Sequence, residues 1–117
     1  MTAETQAKRI ANLRAEEVRR DEAALRYMLA DERGRWFISR MLERCHVFST
    51  TANDDTNRML IMEGERRVGV ELYDNLRMLS VIDETGVCEE QRRTAEAEYG
   101  RFMVRYKIGK EQDNAKI

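Results

Sequence analysis

The chain has 117 residues, 42% hydrophobic and 37% charged, with 21 basic against 22 acidic side chains and a net charge of −1. That length holds one domain, and the charge balance lacks the basic excess by which sequence-independent nucleic-acid binders neutralise phosphates. The longest strongly apolar run, Met59-Leu60-Ile61-Met62, is far short of the ~20 residues of a membrane span.

Proline is absent and glycine numbers six, too few turn residues for a β-rich fold of this size. A charged fraction above the usual ~25% points to long helices, each with one apolar stripe and a wide solvated face. The expected fold is all-α: a small bundle of three to four helices preceded by a polar N-terminal helical arm. Three regions follow: an arm over 1–20, a helical domain over 21–109 and a mobile C-terminal tail over 110–117. The polar N-terminus carries no secretion signal, so Cys45 and Cys88 are expected as free thiols in a reducing compartment.

Residues 2–20 hold only Ile10, Leu13 and Val18 as sizeable apolar side chains, in loosely helical spacing, followed by Arg19-Arg20. Such an arm buries too little to hold itself on a body, and a partner surface or a second copy would have to order it. Asp21 reads as the N-cap of a second short helix. Gly34 then reads as a cap or turn before a helix over 36–45, whose inward lines are Phe37, Met41 and Cys45, with Ile38 and Leu42 beside them. Trp36, Phe37, Phe48 and Tyr73 are expected to share one buried cluster.

His46 to Asp55 is a loop by composition, with Asp55-Thr56 starting a long helix to about Val81. Its core line is Ile61, Val68, Leu72, Leu76 and Leu79. Gly64 and Gly69 inside it each cost up to about 1 kcal/mol relative to alanine, which implies close approach of another backbone, in this chain or a partner. A last helix runs from Glu89 to Gly109 with Ala95, Tyr99, Phe102, Met103 and Tyr106 inward. Most methionines fall at core spacing.

No residue set for catalysis or cofactor binding emerges. His46 and Cys45 are adjacent and diverge by about 100° on a helix, and a Cys88–His46 pair lacks an orienting third group. One histidine and two cysteines do not make a zinc site; Asp54, Asp55 and Asn57 lack the glycine and distal glutamate of a calcium loop and are read as helix capping. Arg66-Arg67 and Arg92-Arg93 have glutamates within four positions and are expected to pair within their helices.

Three segments carry a resemblance: Leu29-Ala30-Asp31-Glu32-Arg33-Gly34-Arg35-Trp36-Phe37, Leu42-Glu43-Arg44-Cys45-His46-Val47-Phe48, and Glu63-Gly64-Glu65-Arg66-Arg67-Val68-Gly69. Over about residues 25–80 the chain resembles a small all-helical protein family of tailed phages and prophages, first recognised in a short-tailed Bordetella phage. The resemblance implies a phage origin and no enzymatic activity. The expected function is a virion structural protein in several copies or as a homo-oligomer, at the portal or tail junction or inside the head, contacting other virion proteins. The contact residues expected are Ile10, Leu13, Val18, Arg19 and Arg20 in the arm, and Gly64 and Gly69. A DNA-associated packaging or regulatory accessory is the alternative; nucleic acid is not favoured as a partner, and a membrane is excluded.

Overall fold

A computed structural model describes residues 2–115. Four helices follow in order: α1 (Ala3–Ala30), α2 (Glu32–Arg44), α3 (Thr56–Ile82) and α4 (Val87–Ala115). The chain is all-α, as its composition dictates.

Two helices are longer than expected. α1 runs unbroken through Asp21, because strong helix formers flank that aspartate and its exposed side chain costs little there. α4 continues past Gly109, where Lys110, Glu111 and Gln112 outweigh one glycine. Residues 110–115 are therefore helical; the rest of the expected tail, residues 116–117, lies outside the described residues.

The break between α1 and α2 is a single extended residue, Asp31, whose carboxylate accepts from the Arg33 amide at 2.8 Å. Gly34 is thus no turn. It lies in the first turn of α2, where a Cβ would overlap the Met28 backbone, so the corner closes only on glycine. α2 ends on a left-handed His46 (φ 59°): the Val47 amide donates to Leu42 carbonyl at 3.1 Å and the His46 amide to Glu43 carbonyl at 3.0 Å, satisfying the last carbonyls. At the α3–α4 turn, Gly86 takes φ 76° and Asp83 accepts from the Cys88 amide at 2.8 Å.

The core is small. Leu29, Ile38, Leu42, Leu76, Leu79 and Cys88 form its buried centre, with Leu25, Met28, Val47, Leu72 and Tyr73 packed around them. Several core assignments change. Ile38 and Leu42 face inward on α2 while Phe37 is 55% exposed; on α3, Ile61 and Val68 point to solvent. α3 is 27 residues long and nothing in it before Gly69 is buried, so Ile61 lies beyond the core; Val68 lies level with the buried Gly69 but points about 100° away from it. The four aromatics do not share a cluster. Trp36 packs on α4 against Tyr99 and Phe102, at 5.3 and 4.8 Å between ring centres, whereas Phe48 meets Tyr73 edge-on at 5.3 Å. Of the described methionines, Met28, Met41, Met59, Met62 and Met103 are half-buried at the core margin and Met78 is exposed.

The two α3 glycines differ. A Cβ on Gly69 would overlap Cys45 and Val47, so this glycine admits the end of α2; a Cβ on Gly64 would meet nothing. Gly69→Ala is expected to cost about 1–3 kcal/mol by overpacking, and Gly64→Ala to gain up to about 1 kcal/mol from helix propensity. Urea unfolding of the two variants checks the contrast.

Acid stability follows from the caps. The Arg33 guanidinium and amide hold Asp31 at about 2, and Arg92, then Ser80 and Arg93, hold Glu89 at about 2. The Cys88 amide, then Thr85, lower Asp83 well below the usual carboxylate range. Folded values lie below unfolded values of about 4, so this stabilisation is complete above about pH 4.5 and is lost as pH falls toward 2. Thermal melts should be flat from pH 7 to 5 and then drop. Asp83→Asn should melt lower at pH 7, with the gap to wild type narrowing steadily as pH falls below about 4.

Candidate partner-binding surface

A compact chain of 117 residues has a radius of gyration of about 13 Å; this one measures 19.2 Å, with extents of 73 × 41 × 19 Å. The length comes from helices that outrun the body at both ends. From Thr2 to Asp21 every residue but Glu16 is exposed, and so is every described residue after Val104 except Gly109.

Within the arm, Ile10, Leu13 and Val18 are 51%, 58% and 55% exposed. Ile10 and Leu13 are neighbours on the helix surface, but Val18 stands about 140° round from Leu13. The three therefore do not form one patch. Arg20 donates through Nε and Nη2 to Glu16 Oε1 at 3.1 and 2.9 Å, while Arg19 borders a shallow groove with Lys8, Arg9 and Leu13.

Gly64 is on the outer face of α3 and Gly69 beneath it, so only Gly64 is open to a partner. Around it stand Leu60, Ile61 and Val68, each more than 60% exposed; farther along, Met78 is 60% and Ile82 45% exposed. The other contributor to this surface is the loop over 45–55, strapped to α3 by Thr51 to Glu63 and by His46 Nε2 to Glu65 at 3.1 Å. Those two bonds occupy two of the three glutamates expected to pair with Arg66 and Arg67; the third, Glu71, has no ion pair among the described residues, and neither has either arginine. Arg92 and Arg93 do pair within α4, Arg92 with Glu89 and Glu96 at 2.8 and 2.7 Å, and Arg93 with Glu89 at 3.1 Å.

A cleft of about 390 Å³ opens between α2, α3 and α4, floored by Leu29, Ile38, Leu42, Leu76 and Ala95 and rimmed by Glu43, Arg92 and Glu96. The sequence reading missed it, since it arises from how three helices diverge. It also missed Arg35, which donates to Glu98 at 2.6 Å and to the Leu29 carbonyl at 2.9 Å, tying the α1–α2 corner to α4. The one available signal was an arginine beside the aromatic opening of a helix.

The candidate reactive groups are held apart. Cys88 is buried against Arg26, whose Nη1 donates to Sγ at 3.4 Å, and burial followed by the Asp83 bond pushes its thiol pKa up. The His46 ring is occupied by Glu65. Asp55 caps α3, accepting from the Asn57 and Arg58 amides at 3.0 and 3.3 Å. Among the described residues no three His, Cys, Asp or Glu side chains converge as metal ligands, and no helix is long and apolar enough to cross a membrane.

The model of the Bbp19-like phage protein family matches residues 23–95, more than half of the chain. The chain belongs to that family. The matched span covers the body, from the last two turns of α1 to the buried Ala95 of α4, and leaves out both helical extensions. No curated protein and no solved structure matches the chain.

The extensions and the body should separate energetically. Deleting residues 1–20 is expected to move the melting temperature by less than about 2 °C, since no buried residue is lost. Amides of residues 5–18 should exchange within seconds in the free monomer while those around Leu76 and Leu79 are protected. Slow exchange along the isolated arm would place it in the domain's own folding unit.

Proposed function

We propose that this Bbp19-like protein is a structural component of the phage virion, present in several copies and binding other virion proteins at the portal or tail junction or inside the head. Its work is binding rather than catalysis. The observation that carries this reading is surface. The chain exposes 9377 Å², against about 6,600 Å² for a compact monomer of 13.8 kDa. The excess of roughly 2,700 Å² would serve more than one interface at about 800 Å² per partner. Seventeen large hydrophobics are exposed among the described residues while seven hydrophobics are buried. The arm, the outer face of α3 and the end of α4 supply that surface.

The second reading, a DNA-associated accessory, draws on Arg66 and Arg67, which have no ion pair among the described residues while Glu63 and Glu65 bond to Thr51 and His46. Near-neutral charge weighs against it. Mass spectrometry of purified virions should find the protein in several copies per particle, and duplex binding in ~150 mM salt should be absent at micromolar protein. Absence from particles together with a salt-sensitive DNA complex would reverse the order of the two readings.

A further inference from the structure

The outer face of α3 has no partner within the chain. Gly64, Val68, Glu71, Asn75, Met78 and Ile82 recur at spacings of three and four, so they form one line along the helix. Every residue on that line is exposed, and the line flanks the core face, about 60° round the helix from the buried Leu79 and about 120° from Leu76. The line is apolar toward both ends, polar in the middle, and has a gap at its N-terminal end where Gly64 meets no other atom. A gap at one end and a bulky Ile82 at the other is an arrangement that complements itself once reversed.

We infer that this face binds a second copy of the chain, α3 against α3 in antiparallel orientation. With the two-fold axis at the level of Tyr73, Ile82 of each helix fills the notch at the other's Gly64, and Val68 packs on Met78. Glu71 then lies opposite Asn75 on both sides of the axis, a carboxylate facing an amide donor. The contact is isologous, as two-fold symmetry requires. It spans residues 64–82, about 28 Å at 1.5 Å per residue.

Charge supports the orientation. In the N-terminal half of α3, Glu63 and Glu65 are engaged by Thr51 and His46, and Arg66 and Arg67 have no ion pair among the described residues. In the C-terminal half, Glu71 and Asp74 also lack ion pairs among the described residues. An antiparallel pair sets the cationic half of each helix beside the anionic half of the other, with Arg67 on the side that carries the second copy's Asp74. A parallel pair would set like beside like.

This inference rests on the binding role proposed above, but the two fail separately. Sedimentation of the full chain at 10–100 µM should show a monomer–dimer equilibrium. Gly64→Leu should weaken the dimer at least tenfold while the monomer melts no lower, because the notch is filled and nothing inside the chain is touched. Asn75→Lys should tighten the dimer against Glu71 of the other copy, and Asn75→Glu should weaken it. A parallel pair would be weakened by both, through Lys–Lys or Glu–Glu contact. A monomer at 100 µM, or a dimer indifferent to Gly64→Leu, overturns the inference and leaves the virion role standing; absence from purified particles removes that role and leaves the dimer standing.

Discussion

One corner fixes the fold. Asp31 ends α1 and begins α2 in a single extended residue, so the two helices must diverge at once with their backbones nearly touching. That geometry puts Leu29 at the bottom of the core, 1% exposed, with Ile38 and Leu42 beside it. It also strands the last carbonyls of α1, and Arg35 reaches back to one of them while its other edge grips Glu98. The side chains of this ion pair are 16% and 26% exposed, so it is screened less than a surface pair and has definite geometry. Without glycine at 34 the corner would not close, and Arg35, with Arg26 to Cys88 and Arg40 to Tyr99 on either side, binds it to α4.

The helices attached to this corner are too long for what they cover. Twenty-eight residues of α1 contribute one buried side chain, Leu29, and twenty-nine of α4 contribute Cys88 and Ala95. Most helical stability in proteins comes from tertiary packing, so the extensions rely on helix propensity and on pairs such as Glu16–Arg20 until something packs on them. Residues 23–95, the family's matched span, contain every buried hydrophobic, while the arm and the α4 residues Glu98, Tyr99 and Phe102 that pack on the corner lie outside it.

Much of this was legible in the amino-acid order. The absence of proline and the charged fraction dictate helices, Asp55 and the polar run before it start α3, and Asp83 to Gly86 end it. The boundaries that failed did so for local reasons. Asp21 and Gly109 look like punctuation, but each is a single poor helix former among strong ones, and neighbours decide. Helix faces failed for a different reason. Periodicity identifies an apolar line but not how far along the helix that line is covered. Ile61 and Val68 continue the stripe of Leu72, Leu76 and Leu79, yet the core stops short of Ile61, and at the level of Val68 the end of α2 packs on Gly69 instead. Partners in space, such as Trp36 with Tyr99 or Glu65 with His46, depend on crossing angles that no one-dimensional pattern contains.

The same limit explains why the two α3 glycines read alike and behave differently. Five residues apart on one helix, they point about 140° from each other. Gly69 falls where the end of α2 turns on a left-handed His46 and brings Cys45 and Val47 against the helix. Gly64 falls on the opposite side of the same rod, among exposed leucine, isoleucine and valine. An interior glycine lowers helix stability in both places, but only at Gly69 does the chain itself recover that cost through packing. At Gly64 the recovery has to come from outside the monomer, and the apolar side chains that surround the gap are of the kind that would supply it.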